Sequence, residues 1–193
     1  MNYQYNQRNV WDEYNEVTKN KPPRKLLTKV ATTGGYALDL GAGALNDTRY
    51  LLEQGYEVDV VDSNPSILEL GKDLKKVRLF VSRFDAFDFP IAKYDLINAG
   101  DAFPFNPPET FDAMIARLAA SLKPGGVFVG QFFGVEDSWS NDKKMTFHTK
   151  EQVAALLKGF AVSHFEETKK EGKTAMGQNK FWHVFNVIAT RAR

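Results

Sequence analysis

A chain of 193 residues, 43% of them hydrophobic, is long enough to bury a core of its own. A formal charge of +1 leaves no electrostatic footprint for nucleic acid or an anionic membrane, and the absence of cysteine excludes disulfides, thiolate metal sites and cysteine nucleophiles. No apolar run approaches the roughly 20 residues of a membrane span, and Met1 to Arg8 lacks a signal peptide's apolar segment, so a cytoplasmic protein is expected.

In chain order, residues 7–17 and 22–31 are predicted helices, separated by Lys21-Pro22-Pro23. Residues 36–40 are the first predicted strand, 46–53 a helix, and 56–61 the second strand. Asn64-Pro65 then opens a helix: Asn caps it, and Pro suits a first turn whose N–H has no helical partner. Strands are predicted at 77–81 and 94–99. Asn106-Pro107-Pro108-Glu109 opens the next helix, with Phe111, Met114, Ile115 and Leu118 at helical spacing. Lys123-Pro124-Gly125-Gly126 ends it, and Val127 to Phe133 is a fifth strand. Thr149-Lys150-Glu151-Gln152 is a capping-box pattern. Two further β-like runs, about 160–167 and 181–190, flank a polar segment expected to be a hairpin loop, with Glu166 to Glu171 at its tip.

Strands alternating with helices imply an α/β fold of Rossmann-like, doubly wound type. Its seven-stranded sheet is expected to be mostly parallel, with an antiparallel C-terminal strand and helices at the N-terminus. The expectation is one domain over residues 1–193, with 1–33 a helical lid and 34–193 the core. Ligands of open α/β sheets bind beyond the carboxyl ends of the strands, near the switch point.

The stretch Ala37-Leu38-Asp39-Leu40-Gly41-Ala42-Gly43 is a buried strand ending in an acid and a glycine turn. Asp62 closes the next apolar run. This pair of strand ends suggests a nucleoside cofactor, with backbone packed on glycines and a ribose held by a carboxylate. A nicotinamide-dependent oxidoreductase would use the same unit, but its fingerprint needs a third glycine where Asn46 stands.

Here the chain resembles the class I S-adenosylmethionine-dependent methyltransferases. Asp39-Leu40-Gly41-Ala42-Gly43 looks like their first motif, and Val60-Val61-Asp62-Ser63-Asn64 like the acid that holds the ribose. Arg83-Phe84-Asp85-Ala86-Phe87 looks like the adenine edge, Tyr94 to Ala99 like the fourth-strand motif, and Leu122 to Gly126 like the turn before strand five. The motifs Asn46-Asp47-Thr48, Met145 to Thr149 and Lys180 to Phe185 are closest to small tellurite-resistance-type and related small-molecule enzymes. The chain departs from the pattern at Leu45, where a third glycine is often found, and at Asn46, where a basic residue is common.

The resemblance implies S-adenosylmethionine as cofactor, S-adenosylhomocysteine as product, and in-line methyl transfer to a small-molecule acceptor. The alternatives are the oxidoreductase and a non-catalytic cofactor-binding module. Expected cofactor residues are Asp39, Gly41, Ala42, Gly43, Asp62, Ser63, Asn64, Asp85, Ala86, Phe87, Asn98 and Ala99. Trp11, Tyr14, Phe103, Phe105 and Trp139 are expected to line the acceptor, with Asp101 first and His148 second as candidate base. The three histidines lack metal-ligand spacing, so no metal is expected. Asn106-Pro107-Pro108 is followed by Glu109 rather than an aromatic residue, so it is taken as a helix start and not as a motif of DNA amino-methylation. Neither nucleic acid nor membrane is an expected partner, and a monomer or homodimer is expected.

Overall fold

The computed structural model describes the backbone of residues 7–30 and 34–193; residues 1–6 and 31–33 of the predicted lid lie outside the described residues. The helices are α1 (Gln7–Thr18), α2 (Asn46–Glu53), α3 (Ser66–Leu70), α4 (Pro108–Ser121) and α5 (Lys150–Leu156). The strands are β1 (Gly35–Leu40), β2 (Tyr56–Asp62), β3 (Val77–Val81), β4 (Tyr94–Ala99), β5 (Leu122–Phe133), β6 (Phe160–Lys173) and β7 (Asn179–Arg191). They form one sheet in the order β3-β2-β1-β4-β5-β7-β6. β1 pairs parallel with both β2 and β4, so the strand order reverses between β1 and β4. β7 alone runs against its neighbours, inserted between β5 and β6.

The inner strands are apolar on both faces because helices cover both. One core layer joins Leu38, Leu40, Ile97, Phe111, Met114 and Phe132 beneath α4 and α5. The other joins Ala37, Val58, Val60, Leu51, Ile67 and Leu96 beneath α2 and α3. α5 begins at the predicted capping box, with Thr149 accepting from the Gln152 N–H and the Gln152 side chain accepting from the Thr149 N–H.

Several elements differ from expectation. The helix predicted over 22–31 is only a 3-10 turn at Leu27–Lys29. Pro22-Pro23 supplies no donors, and the Arg24 N–H is committed elsewhere, to the Asp47 carboxylate at 2.8 Å. The turn at Lys123 to Gly126 lies inside β5 as a bulge, since Tyr94 pairs with Leu122 and Leu96 already with Val127. Glu166 to Glu171 is strand rather than hairpin tip, paired with β7 from Asn186 to Phe181; the true tip spans 174–178. These charges suit an edge strand, where they oppose pairing with a further chain. Asn106 is buried beside α4, with its amide on the Pro107 carbonyl and the Thr110 hydroxyl, and Pro107 occupies the capping position.

Candidate active site

β1 ends at Leu40 and turns at Gly41, whose φ of 73° is left-handed and favours glycine. A Cβ there would also lie 2.6 Å from that of Ala102, so the chain passes too close for a side chain. The turn is left-handed again at Leu45 (φ 63°), a buried leucine in the place of the family's further glycine. At the end of β2, Asp62 accepts from the N–H groups of Gly43 at 2.9 Å and Asn64 at 2.8 Å. Burial raises its pKa, against the lowering effect of the N–H groups of Asn64, Gly43 and Ser63. A carboxylate held from behind by two backbone donors keeps lone pairs for a diol in front.

Helix α1 crosses above this turn. Asn15 donates to the Ser66 hydroxyl at 3.0 Å, the Asn64 amide to Asp12 at 2.9 Å, and the Asn46 amide to the Thr18 carbonyl at 2.8 Å. Asn46 therefore ties α2 to α1.

The cation near Asp47 comes instead from Arg24. Its Nη1 donates to Asp47 at 2.7 Å and its Nε to Asp101 at 3.4 Å. The arginine crosses directly over Gly100, where a Cβ would lie 2.4 Å from Arg24 Cδ. Behind it, the Asn98 amide bridges Asp47 (3.1 Å) and Asp39 (2.8 Å), and Asp39 also accepts from Thr48 at 2.5 Å. Asp39 is 1% exposed and Asp47 2%. Burial first, and the Asp47 charge second, push the Asp39 carboxyl up to about 6. Burial works against the Arg24 charge, but Asp101 and Asp47 outweigh it and raise its pKa. Asp101 follows β4 with φ 54°, a left-handed conformation that is costly away from glycine and tends to occur at functional sites.

Residues 37–126 match the protein family described as methyltransferase domain. Over those residues, a little under half of the chain, it is similar to a methyltransferase domain. It is 24% identical over 135 residues to a carboxy-S-adenosyl-L-methionine synthase of Citrifermentans bemidjiense, covering 65% of this chain and 54% of that one. It is 29% identical over 117 residues to an uncharacterized methyltransferase of Staphylococcus carnosus, covering 60% of this chain and 55% of that one. The chain thus spans about half the length of these curated relatives. Among solved structures it resembles the 1,6-didemethyltoxoflavin-N1-methyltransferase of Burkholderia thailandensis, with bound 1,6-didemethyltoxoflavin and S-adenosylhomocysteine. The TM-score is 0.67 at 22% identity, over 97% of this chain and 83% of that one.

Across this stretch the expected cofactor residues divide by environment. Gly41, Gly43, Asp62 and Asn64 surround the turn, with Ser63 exposed beside them. Asn98 is buried as the bridge between two acids, and Ala42, Phe87 and Ala99 bury their side chains in the core. Asp85, with Ala86 beside it in a 3-10 turn, is already engaged: Arg83 grips its carboxylate at 2.9 and 2.6 Å and Thr110 donates at 3.0 Å. The Arg83 hydrogen bond lowers the Asp85 pKa. Arg117 pins the same loop through the carbonyls of Asp85 and Phe87.

The expected acceptor residues divide too. Trp11, Tyr14, Phe105 and Trp139 form an aromatic row, with centroids 5.7 Å apart for Trp11–Tyr14, 4.8 Å for Trp11–Phe105 and 6.4 Å for Phe105–Trp139. The row continues to Trp182, which lies 6.0 Å from Trp139 and was not anticipated. The buried Lys180 ammonium sits over Trp139 and Trp182 and pairs with the buried Asp137. Phe103 is instead in the core, against Phe111 and Phe132. His148 lies beside it, 4.7 Å from Phe111 and 5.6 Å from Phe132, with Nδ1 buried and without a partner among the described residues. Burial pushes it down to about 4, opposed only by Asp112. It is a neutral core imidazole, and the structure does not bring it to Asp101.

That placement has a measurable sign. The unfolded chain takes up the His148 proton near pH 6.5 and the folded chain only near 4, so stability falls as pH falls through this window. Between pH 7 and 5 the loss is about 2 kcal/mol. Asp39 acts oppositely there, because its raised pKa lets the folded state hold the extra proton. Denaturant titrations of wild type and His148→Leu separate the two. The variant should lack this loss, and parallel pH profiles would refute the core assignment.

Proposed function

We propose that the chain transfers a methyl group, in line, from S-adenosylmethionine to a small-molecule acceptor. The observation that carries this reading is Asp62, a largely buried carboxylate held against the glycine turn by two backbone donors. The donor set suits the group: a carboxylate for the ribose hydroxyls, a side-chain-free turn for close approach, and Arg24 as a cation for the amino-acid carboxylate. When bound, the sulfonium supplies a methyl carbon that needs no covalent help from the protein.

The chain's own residues then bind, align and exclude water. Asp62 and the Gly41–Gly43 backbone hold the nucleoside. Helix α1 acts as a lid, and Trp11, Tyr14, Phe105 and Trp139 keep water from the reacting centre. Asp101 takes a proton if the acceptor arrives protonated.

Calorimetric titration with S-adenosylhomocysteine, with NAD as comparison, tests the reading. Micromolar binding of the former and none of NAD is expected; the reverse would make the protein an oxidoreductase. Turnover is then measured with labelled cofactor on thiols, amines and oxyanions. Binding with no turnover on any class would leave a cofactor-binding module. Asp101→Asn should keep S-adenosylhomocysteine affinity and lose roughly a hundredfold or more in turnover of a protonated acceptor. Unchanged turnover would remove Asp101 as base.

A further inference from the structure

Beyond Asp101, on the face of the sheet turned away from α4 and α5, β5, β7 and β6 form the floor of a cavity of about 450 Å³. That is within the usual range for small-molecule sites. Asp101 stands on its wall, and the same carboxylate meets Arg24, which joins it to Asp47 and the buried acids behind the glycine turn. The cavity therefore opens beside the end of β4 where the methyl group is to be delivered.

A ladder of side-chain amides crosses the floor. Gln131 Nε2 donates to Asn186 Oδ1 at 2.8 Å, and Asn186 Nδ2 donates to Thr168 Oγ1 at 3.4 Å. Gln131 Oε1 is buried and has no partner among the described residues. Leaving a buried acceptor unmade costs its desolvation, so such an atom calls for an explanation. The terminal torsion of glutamine is soft, so its amide turns toward an incoming donor at little cost. A primary amide has two donors and one acceptor site group, and Asn186 uses a single N–H. What remains is one N–H beside Oε1. Trp182 and Val184 supply apolar wall. The charged lining residues are Lys170 and Lys173 against Asp101 and Glu171, two of each sign, which suits an uncharged ligand better than a phosphate or an ammonium.

We infer that this cavity is the acceptor subsite and that the acceptor is a planar, uncharged nitrogen heterocycle with a cyclic amide edge, N–H beside C=O, recognised by Gln131. The inference rests on the methyl-transfer reading and adds to it the class of nucleophile. A second ring nitrogen, one not paired with Gln131 and turned toward Asp101, forms the new N–C bond with its lone pair. The methyl C–S bond breaks with its electrons remaining on sulfur, and the proton of that nitrogen passes to the Asp101 carboxylate. The positive charge lost from sulfur leaves with that proton, so the step balances. Another cavity, of about 520 Å³, lies at the opposite ends of the strands, where Asp59 holds Arg78 and Lys93 and Asp95 holds Lys123.

The test is binding rather than turnover. Protein saturated with S-adenosylhomocysteine is titrated with xanthine in mildly acidic buffer, where xanthine is neutral, and followed by tryptophan fluorescence and calorimetry. Caffeine, the same ring system without an N–H, is the control, and ethanolamine represents aliphatic amines. Xanthine should bind and alter Trp182 emission, caffeine and ethanolamine should not, and Gln131→Leu should weaken xanthine about tenfold while leaving S-adenosylhomocysteine affinity unchanged. The inference is overturned if xanthine does not bind, if caffeine binds as tightly, if ethanolamine binds in its place, or if Gln131→Leu makes no difference. Loss of S-adenosylhomocysteine binding by the wild type would instead bring down the methyl-transfer reading and this inference with it. Intact cofactor-product binding without xanthine recognition would remove this inference alone.

Discussion

Asp62→Ala should lose S-adenosylhomocysteine binding by roughly a hundredfold or more. A carboxylate that accepts from both hydroxyls of a ribose makes two charge-assisted hydrogen bonds, each worth about 1.5–3 kcal/mol. Losing both costs about 3 kcal/mol at the least, and each 1.4 kcal/mol is about tenfold in affinity. The fold should survive, because the substitution also removes a charge that burial disfavours. The backbone donors of Gly43 and Asn64 lose their partner, a smaller penalty at a cleft that water can enter. Asp62→Asn, which keeps one acceptor oxygen, should fall between. Calorimetry on the three proteins, with melting curves to confirm folding, measures this directly. Affinity in the alanine variant within threefold of wild type would mean that no ribose is held at this strand end.

The largest effect on stability is expected at Arg24. Arg24→Met leaves the buried Asp47 with no cation and Asp39 behind it with less compensation. Breaking a buried ion pair on one side costs about 3–5 kcal/mol, and the lower figure applies because the Arg24 side chain is 30% exposed. At roughly 2–4 °C per kcal/mol for a chain of this size, the melting temperature should fall by roughly 6–12 °C. The loss has a pH signature. Without the guanidinium the folded state resists ionising its acids, so it holds protons that the unfolded chain has released, and stability falls as pH rises. The deficit of the variant should therefore be larger at pH 7.5 than at pH 5. Asp47→Asn in the Arg24→Met background should recover more than half of it. A deficit independent of pH and not relieved by the second change would make Arg24 a packing element, not the counter-ion of the site.

Much of this was legible in the chain because strand ends in an α/β sheet carry a local signature. Asp39 and Asp62 each stand at the end of an apolar run, and short-range sterics put glycine two residues after the first. The buried strands and the α5 capping box depend on neighbours in sequence, so periodicity and spacing reach them. Arg24 depends on nothing local. It lies in a stretch without helical period after two prolines, and its partners stand 23 and 77 positions away. A trace it leaves elsewhere is Gly100, the close approach that lets it pass the end of β4. The sorting of aromatics was equally hidden. The 3-10 turn Phe103–Phe105 sends Phe103 into the core and leaves Phe105 38% exposed, and composition does not distinguish the two. Trp182 stands with Val184 and Asn186 on one face of β7 while His183 and Phe185 take the other. That alternation becomes informative only once the strand is known to lie between β5 and β6.

The length of β6 has a consequence for the molecule in solution. Fourteen residues of strand form one edge of the sheet, so a row of main-chain donors and acceptors faces outward with no further strand among the described residues to meet them. With a formal charge of only +1, the chain has little colloidal repulsion to keep copies apart. What hinders edge-to-edge growth is local: Glu166, Glu167, Lys169, Lys170, Glu171 and Lys173 are spaced so that an incoming strand would have to desolvate several of them at once. Neutral substitutions among these side chains should therefore raise the tendency to aggregate out of proportion to their small contribution to the core.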